Sequence, residues 1–283
     1  MTHRVWRCRD RAFELGARTL VMGIVNVTPD SFSDGGELAD AYDAERFAAQ
    51  LLDEGADLVD VGGESTRPGS DPVPVEEELR RVIPVIERVR AARVDAVISV
   101  DTRRPEVASE ALRAGAQVVN DVTGGRDPRL LEVTRDAGAG LVLMHMLGEP
   151  KTMQDDPRYD DVVEEVHEYL RERVEAAVFA GVAAEALAVD PGIGFGKNLE
   201  HNLALLRSLE DFTDLDAALM VGVSRKRFLG ALTGVERAKD RLEGSLAAAT
   251  WAAAHGADVV RVHDVLATRR ALAVVDALVR EGP

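Results

Sequence analysis

Short apolar runs alternate along this chain with longer stretches of helical periodicity. The runs lie near 20–25, 58–62, 97–100, 117–119, 140–144, 186–189, 217–223 and 258–262. Helix-like intervals between them include 43–54, 75–91, 104–113, 160–179 and 240–254, and 265–280 closes the chain. Eight strand-like runs, each followed by a helix-like run, predict a parallel sheet with helical crossovers. Eight is the number that closes into a (β/α)₈ barrel, whereas an open doubly wound sheet usually has fewer strands.

A degenerate repeat reinforces the pattern. Gly55-Ala56-Asp57-Leu58-Val59-Asp60, Gly115-Ala116-Gln117-Val118-Val119-Asn120, Gly138-Ala139-Gly140-Leu141-Val142-Leu143 and Gly256-Ala257-Asp258-Val259-Val260-Arg261 share one design. Each ends a helix with a glycine suited to a left-handed C′ position and then enters a buried strand. In three copies the fifth residue after the glycine is polar: Asp60, Asn120 and Arg261. A polar side chain late in a buried strand costs energy unless it has a partner. In a barrel that position lies at the C-terminal mouth, where active sites are built.

The 283 residues would suit two domains of about 150 residues or one barrel of about 250. Gly/Pro-rich stretches at 26–37, 62–74, 121–129 and 145–159 all follow strands and read as loops over the mouth, not as linkers. The expectation is therefore a single TIM-barrel domain over 1–283, with 1–19 as an N-terminal extension or hairpin packed on it. A net charge of −16 argues against nonspecific nucleic-acid binding. No apolar run approaches the roughly 18 residues of a membrane helix, and the arginine-rich start is not a signal peptide. The single cysteine, Cys8, excludes an intrachain disulfide and a thiolate metal cluster, and suits a reducing cytoplasm.

Two tempting motifs fail. Gly192-Ile193-Gly194-Phe195-Gly196-Lys197-Asn198 has neither P-loop nor dinucleotide-fold spacing. His145, His255 and His263 are not at metal-ligand spacing. The polar strand ends are the productive signal. Asn26, Asp101-Thr102, Asn120-Asp121, Asp190-Pro191-Gly192, Ser224-Arg225-Lys226 and Arg261-Val262-His263 end six of the eight runs. Singly each reads as a turn or a helix cap, and Asp101 in particular as an N-cap. Together they suggest a site. Acceptor-only Asp101 and Asp190 with Asn120 suit a planar heterocycle rich in N–H donors, such as an aminopyrimidinone. Lys226 can donate to a ring carbonyl or nitrogen. Arg261 and His263, two apart on a strand, project to one side and suit an anion such as diphosphate. The reaction stays open at this point.

In these segments the sequence resembles the dihydropteroate synthase family. The carriers are Val21–Gly36 (VMGIVNVTPDSFSDGG), Gly62–Gly69 (GGESTRPG), Ser99–Thr102, Asn120-Asp121, Met144-His145-Met146, Asp190–Lys197, Ser224–Lys226 and Arg261–Val265, in order from about 20 to 268. The resemblance implies a (β/α)₈ barrel. It also implies a transferase of folate biosynthesis, which joins 6-hydroxymethyl-7,8-dihydropterin diphosphate to p-aminobenzoate. It assigns Asp101, Asn120, Asp190 and Lys226 to the pterin, with Met144 near it, and Asn26 to Mg²⁺. Arg261 and His263 are assigned to the diphosphate, and Thr66, Arg67 and Pro68 with Phe195 and Lys226 to the p-aminobenzoate pocket. Gly194 and Ser224 complete the expected substrate-binding set, and Asp101, Lys226, Arg261 and His263 the catalytic one. The expected path is S_N1-like, with diphosphate leaving before the arylamine attacks and the loops at 27–37 and 63–74 closing over it. Sulfonamides should compete as p-aminobenzoate mimics, and a cytoplasmic homodimer packed through late helices is expected. Arg227 stands where the family commonly has a second serine. Two rival readings fit the same pocket: a methyltetrahydrofolate-type methyltransferase domain, which needs no diphosphate clamp, and a pterin-binding paralogue without catalysis.

Overall fold

A computed structural model describes residues 4–27, 37–65 and 69–280. Two short strands, β1 (Val5–Cys8) and β2 (Arg11–Glu14), form an antiparallel hairpin. Eight parallel strands follow: β3 (Leu20–Asn26), β4 (Leu58–Gly62), β5 (Val97–Asp101), β6 (Val118–Asp121), β7 (Gly140–Met144), β8 (Leu187–Asp190), β9 (Ala218–Gly222) and β10 (Val259–Val262). They close in sequence order, with β10 pairing β3. The outer ring is α1 (Glu37–Asp53), α2 (Val75–Ala92), α3 (Pro105–Ala114), α4 (Pro128–Ala137), α5 (Val162–Phe179), α6 (Leu199–Arg207), α7 (Arg227–Thr233), α8 (Leu242–Ala254) and α9 (Val265–Val279). One short helix, α7, is additional to the expected alternation, because both α7 and α8 follow β9. No helix among the described residues is long and apolar enough to cross a membrane.

The four repeat glycines act alike. Gly55, Gly115, Gly138 and Gly256 have φ of 101°, 117°, 59° and 96°. The alanine after each donates back five residues, Ala56 to Leu51, Ala116 to Ala111, Ala139 to Thr134 and Ala257 to Ala252, at 2.9–3.1 Å. This is the Schellman closure, which satisfies helix-end carbonyls and turns the chain directly into the next strand.

Period-two alternation along the strands sets what faces the barrel interior. Leu58, Val97, Val118, Val142, Ala188, Met220 and Val259 share one inner cluster with Trp6 and Cys8 of the hairpin. Their neighbours point outward into the larger cluster beneath the helices. Two or four residues further along the same inward face stand Asp60, Asp101, Asn120, Met144, Asp190, Gly222 and Arg261. The lower barrel is thus apolar and its upper layer polar.

The hairpin stoppers the lower end. Trp6 is fully buried, and its indole N–H donates to Ala186 O at 3.1 Å. Trp6→Ala would leave a large void and an unpaired carbonyl. It is expected to cost about 3–5 kcal/mol, read as a lower urea midpoint at unchanged m-value.

Candidate active site at the strand C-termini

The upper polar layer is knit by one arginine. Arg261 on β10 donates from Nε to Asp60 Oδ2 at 2.6 Å and from Nη2 to Asp101 Oδ2 at 2.8 Å. Asn120 on β6 donates from Nδ2 to the same Asp60 oxygen at 2.9 Å. Asp60 is fully buried and Asp101 and Asn120 nearly so. The three polar repeat positions therefore meet in one cluster. Asp60 was flagged by the repeat but not counted among the site residues, and the signal that could have found it is its equivalence to Asn120 and Arg261. Asp101 does not cap the next helix. The N-cap of α3 is Arg104, with no side-chain cap, so the capping role considered for Asp101 is not the one it takes.

Burial raises the Asp101 carboxyl above the ordinary range, against the pull of Arg261 and with help from Asp60. Burial acts against the Arg261 cation too, but Asp60 and Asp101 outweigh it and hold its proton more firmly. The ion pairs thus shelter a carboxylate in surroundings that would otherwise neutralise it.

Asp190, Lys226 and Arg261 converge on Gly222. A Cβ there would lie 3.8 Å from Asp190 Oδ2, 3.9 Å from Arg261 Cβ and 3.9 Å from Lys226 Nζ. Asp190 Oδ1 accepts from Gly192 N at 2.7 Å, and burial raises its carboxyl, opposed by Lys226. Lys226 Nζ donates to Ile193 O and lies 4.5 Å from the centre of the Phe195 ring. Burial pushes its amine down to about 8, with Asp190 opposing the shift. Gly194 is tucked against the Lys226 stem, where an added Cβ would sit 3.1 Å from Cδ. Phe195 packs on a cluster of Val122, Met144, Met146 and Met153, so Met144 stands beside the aromatic wall. Val122 and Met153 join this wall without being singled out in the sequence, and Met146, part of a resembling segment, gains a place there.

The other loop ends are clipped together. Ser224 Oγ accepts from His263 N at 3.2 Å and lies 3.0 Å from its Nδ1. Arg225 has a left-handed backbone, φ 59°, and pairs with Asp264 at 2.6 Å, fixing the turn that presents Lys226. Across the mouth, Glu64 binds Arg104 at 2.8 Å and Arg103 at 3.2 Å, and Arg104 also holds buried Glu78 at 2.8 Å. That network anchors the root of the 63–74 loop. Thr66, Arg67 and Pro68, expected around p-aminobenzoate, lie outside the described residues, as does most of the 27–37 loop.

Asn26 ends β3 in register with Gly62, which pairs in turn with Asp101, so it stands on the same rim. Among the described residues no cluster of three or more His, Cys, Asp or Glu could hold a metal ion. A hard cation here would take the Asn26 carboxamide oxygen and draw its remaining oxygens from a bound phosphate and water. That donor set fits Mg²⁺.

The comparisons agree with this architecture. A family profile described as "Pterin binding enzyme" matches residues 22–263. The chain is 51% identical over 257 residues to dihydropteroate synthase of Escherichia coli K12, covering 91% of this chain and 90% of that one. It superposes on Xanthomonas albilineans dihydropteroate synthase with 4-aminobenzoic acid at a TM-score of 0.92, with 50% identity and 98% of each chain covered. It also matches the Yersinia pestis enzyme in complex with a sulfonamide drug, TM-score 0.90, 44% identity, covering 97% of this chain and 98% of that one.

Proposed function

The chain belongs to the dihydropteroate synthase family of pterin-binding enzymes, and on that premise we propose how its rim residues divide the work. As a transferase of folate synthesis, it joins 6-hydroxymethyl-7,8-dihydropterin diphosphate to p-aminobenzoate, giving 7,8-dihydropteroate and diphosphate. The observation that carries the proposed division is the Arg261 bridge between Asp60 and Asp101 on the rim that also holds Asn120, Asp190 and Lys226.

Asn120 spends one of its two amide N–H donors on Asp60, and its carbonyl oxygen is the acceptor left for a ligand. A carbonyl turned toward the carboxylate would be repelled, which fixes the orientation. The Asp101 and Asp190 carboxylates and the Asn120 carbonyl then offer acceptors matched to the N–H donors of the pterin. Lys226 supplies the complementary donor. Met144 and Phe195 pack on the ring and on the arylamine that follows.

Arg261 uses one edge of its guanidinium on Asp60 and Asp101, and its Nη1, with His263, is assigned to the diphosphate. Asn26 would hold Mg²⁺, whose contribution when bound is to neutralise charge on that diphosphate. As the C9–O bond breaks, Arg261 and His263 stabilise the leaving group. Positive charge develops over the pterin, and Asp101, whose ionised form Arg261 favours against burial, faces it. The arylamine attacks the exposed methylene, and its proton passes to solvent or the departing diphosphate. No covalent enzyme intermediate is required. A sulfonamide would occupy the arylamine site.

The Lys226 amine offers a direct test. Its proton is held below about pH 8 and lost above it. kcat/KM for the pterin diphosphate is therefore expected to fall as pH rises through about 8, since that ratio reports the free enzyme. In Lys226→Arg this alkaline limb should disappear from the measurable range. A limb unchanged in the variant would assign it to another group.

We also propose a homodimer through α8 and α9. Trp251, Leu266, Val274 and Leu278 expose 46%, 41%, 62% and 78% of their surface on these two packed helices. A second copy is the occupant that the resemblance suggests, and a cytoplasmic setting suits the buried free thiol of Cys8.

A further inference from the structure

Four consecutive carbonyls between β8 and α6 are each held by a side chain. Ile193 O accepts from Lys226 Nζ, Gly194 O from Gln154 Nε2 at 2.6 Å, Phe195 O from Lys197 Nζ at 3.0 Å, and Gly196 O from Tyr159 Oη at 2.9 Å. Of these four, only Lys197 belongs to the loop itself. Its amine is buried, 2% exposed, and lies 2.8 Å from His145 Nδ1.

No carboxylate hydrogen-bonds this amine among the described residues. Burial drives its affinity for a proton well down, and it pushes the neighbouring imidazole down as well, to about 2, helped by Lys197. His145 is therefore neutral, with Nδ1 as acceptor. Its ring is fixed edge-on to Tyr169, centroids 4.9 Å apart. Its own backbone N–H donates to Asp190 O at 3.0 Å. At Gly192, φ 70°, an added Cβ would lie 1.9 Å from His145 O, so the loop is pressed directly on this residue. A buried lysine without a hydrogen-bonded carboxylate is costly, even with Asp190 acting on it at longer range.

We propose that Lys197 is a positioning residue for the arylamine site. Anchored on His145, it fixes the Phe195 carbonyl, and with it the ring of Phe195, the wall met by the second substrate. Lys226 keeps its own hold two residues earlier, on the Ile193 carbonyl. The inference rests on the assignment of Phe195 to the p-aminobenzoate pocket.

Lys197→Met keeps the length and apolar stem and deletes both hydrogen bonds. With the full-length protein, KM for p-aminobenzoate is expected to rise about tenfold, the worth of one buried hydrogen bond. Calorimetric affinity for the pterin should stay within about twofold of wild type, and Lys197→Met should add nothing further to Phe195→Leu, because both act on one ring. Equal rises in both substrates' KM values, or multiplying effects of the two variants, would overturn the proposal. If Phe195→Leu itself leaves the p-aminobenzoate KM unchanged, the assignment of Phe195 fails instead. Should Lys197→Met not fold, His145→Leu and His145→Asn make the same comparison. The shift should appear with Leu and be rescued by Asn, whose carbonyl can stand at the Nδ1 position. Identical behaviour of the two would count against a role for the hydrogen bond.

Discussion

Asp101→Asn is expected to lower kcat by about 10²–10³-fold, the scale of losing one preorganised electrostatic contact to a developing charge. The substitution is isosteric, and an asparagine oxygen can still accept from Arg261 Nη2. What it removes is the negative charge facing the pterin as diphosphate leaves. Arg261 would then be balanced by Asp60 alone, and its surplus positive charge would oppose that ionisation. Stability should not suffer. Folding raises the Asp101 carboxyl above its ordinary range, mainly through burial. A group raised in the folded state favours folding when protonated, and stability falls as pH rises from the unfolded value toward the folded one. A neutral amide escapes that cost, so the variant should melt no lower than wild type at neutral pH. Near wild-type turnover would remove Asp101 from the chemistry.

Arg261→Met has the larger structural consequence. It leaves Asp60, fully buried, and Asp101, 8% exposed, without their shared cation. Breaking such a pair from one side costs about 3–5 kcal/mol, a fall in Tm of about 10 °C for a chain of this size. The assignment of Arg261 to the diphosphate alone leads one to expect that its loss weakens binding of the diphosphate substrate much more than binding of the bare pterin. The contacts of Arg261 extend this to the bare pterin, since Asp60 orients Asn120 and Asp101 faces the ring. Calorimetry with both ligands should show losses for each, larger for the diphosphate. Adding Asp60→Asn should recover part of the lost Tm by removing one stranded charge. An Arg261→Met protein as stable as wild type would contradict the ion-pair account.

Much of this was legible in the residues. Apolar runs located all eight barrel strands, because a strand buried on both faces reads as near-continuous apolar sequence with its few polar residues late in the run. The polar strand ends pointed to one rim, since a barrel puts every strand's C-terminus there. What sequence could not supply was which inward residues touch. Asp60 sits on β4 and Arg261 on β10, six strands apart along the chain but next but one to each other through β3 once the barrel closes. The pairing depends on register stagger, which no local pattern encodes. The work of Lys197 was hidden for a similar reason. Its partner, His145, lies 52 residues away, and a lysine in a glycine-rich stretch looks like an exposed one.

The most direct test of the site is a crystal structure of this protein with the pterin diphosphate bound. The ring should lie across Asp101, Asn120, Asp190 and Lys226, with its diphosphate on Arg261 and His263. A ring bound away from those four side chains, or a diphosphate pointing away from Arg261, would contradict the account.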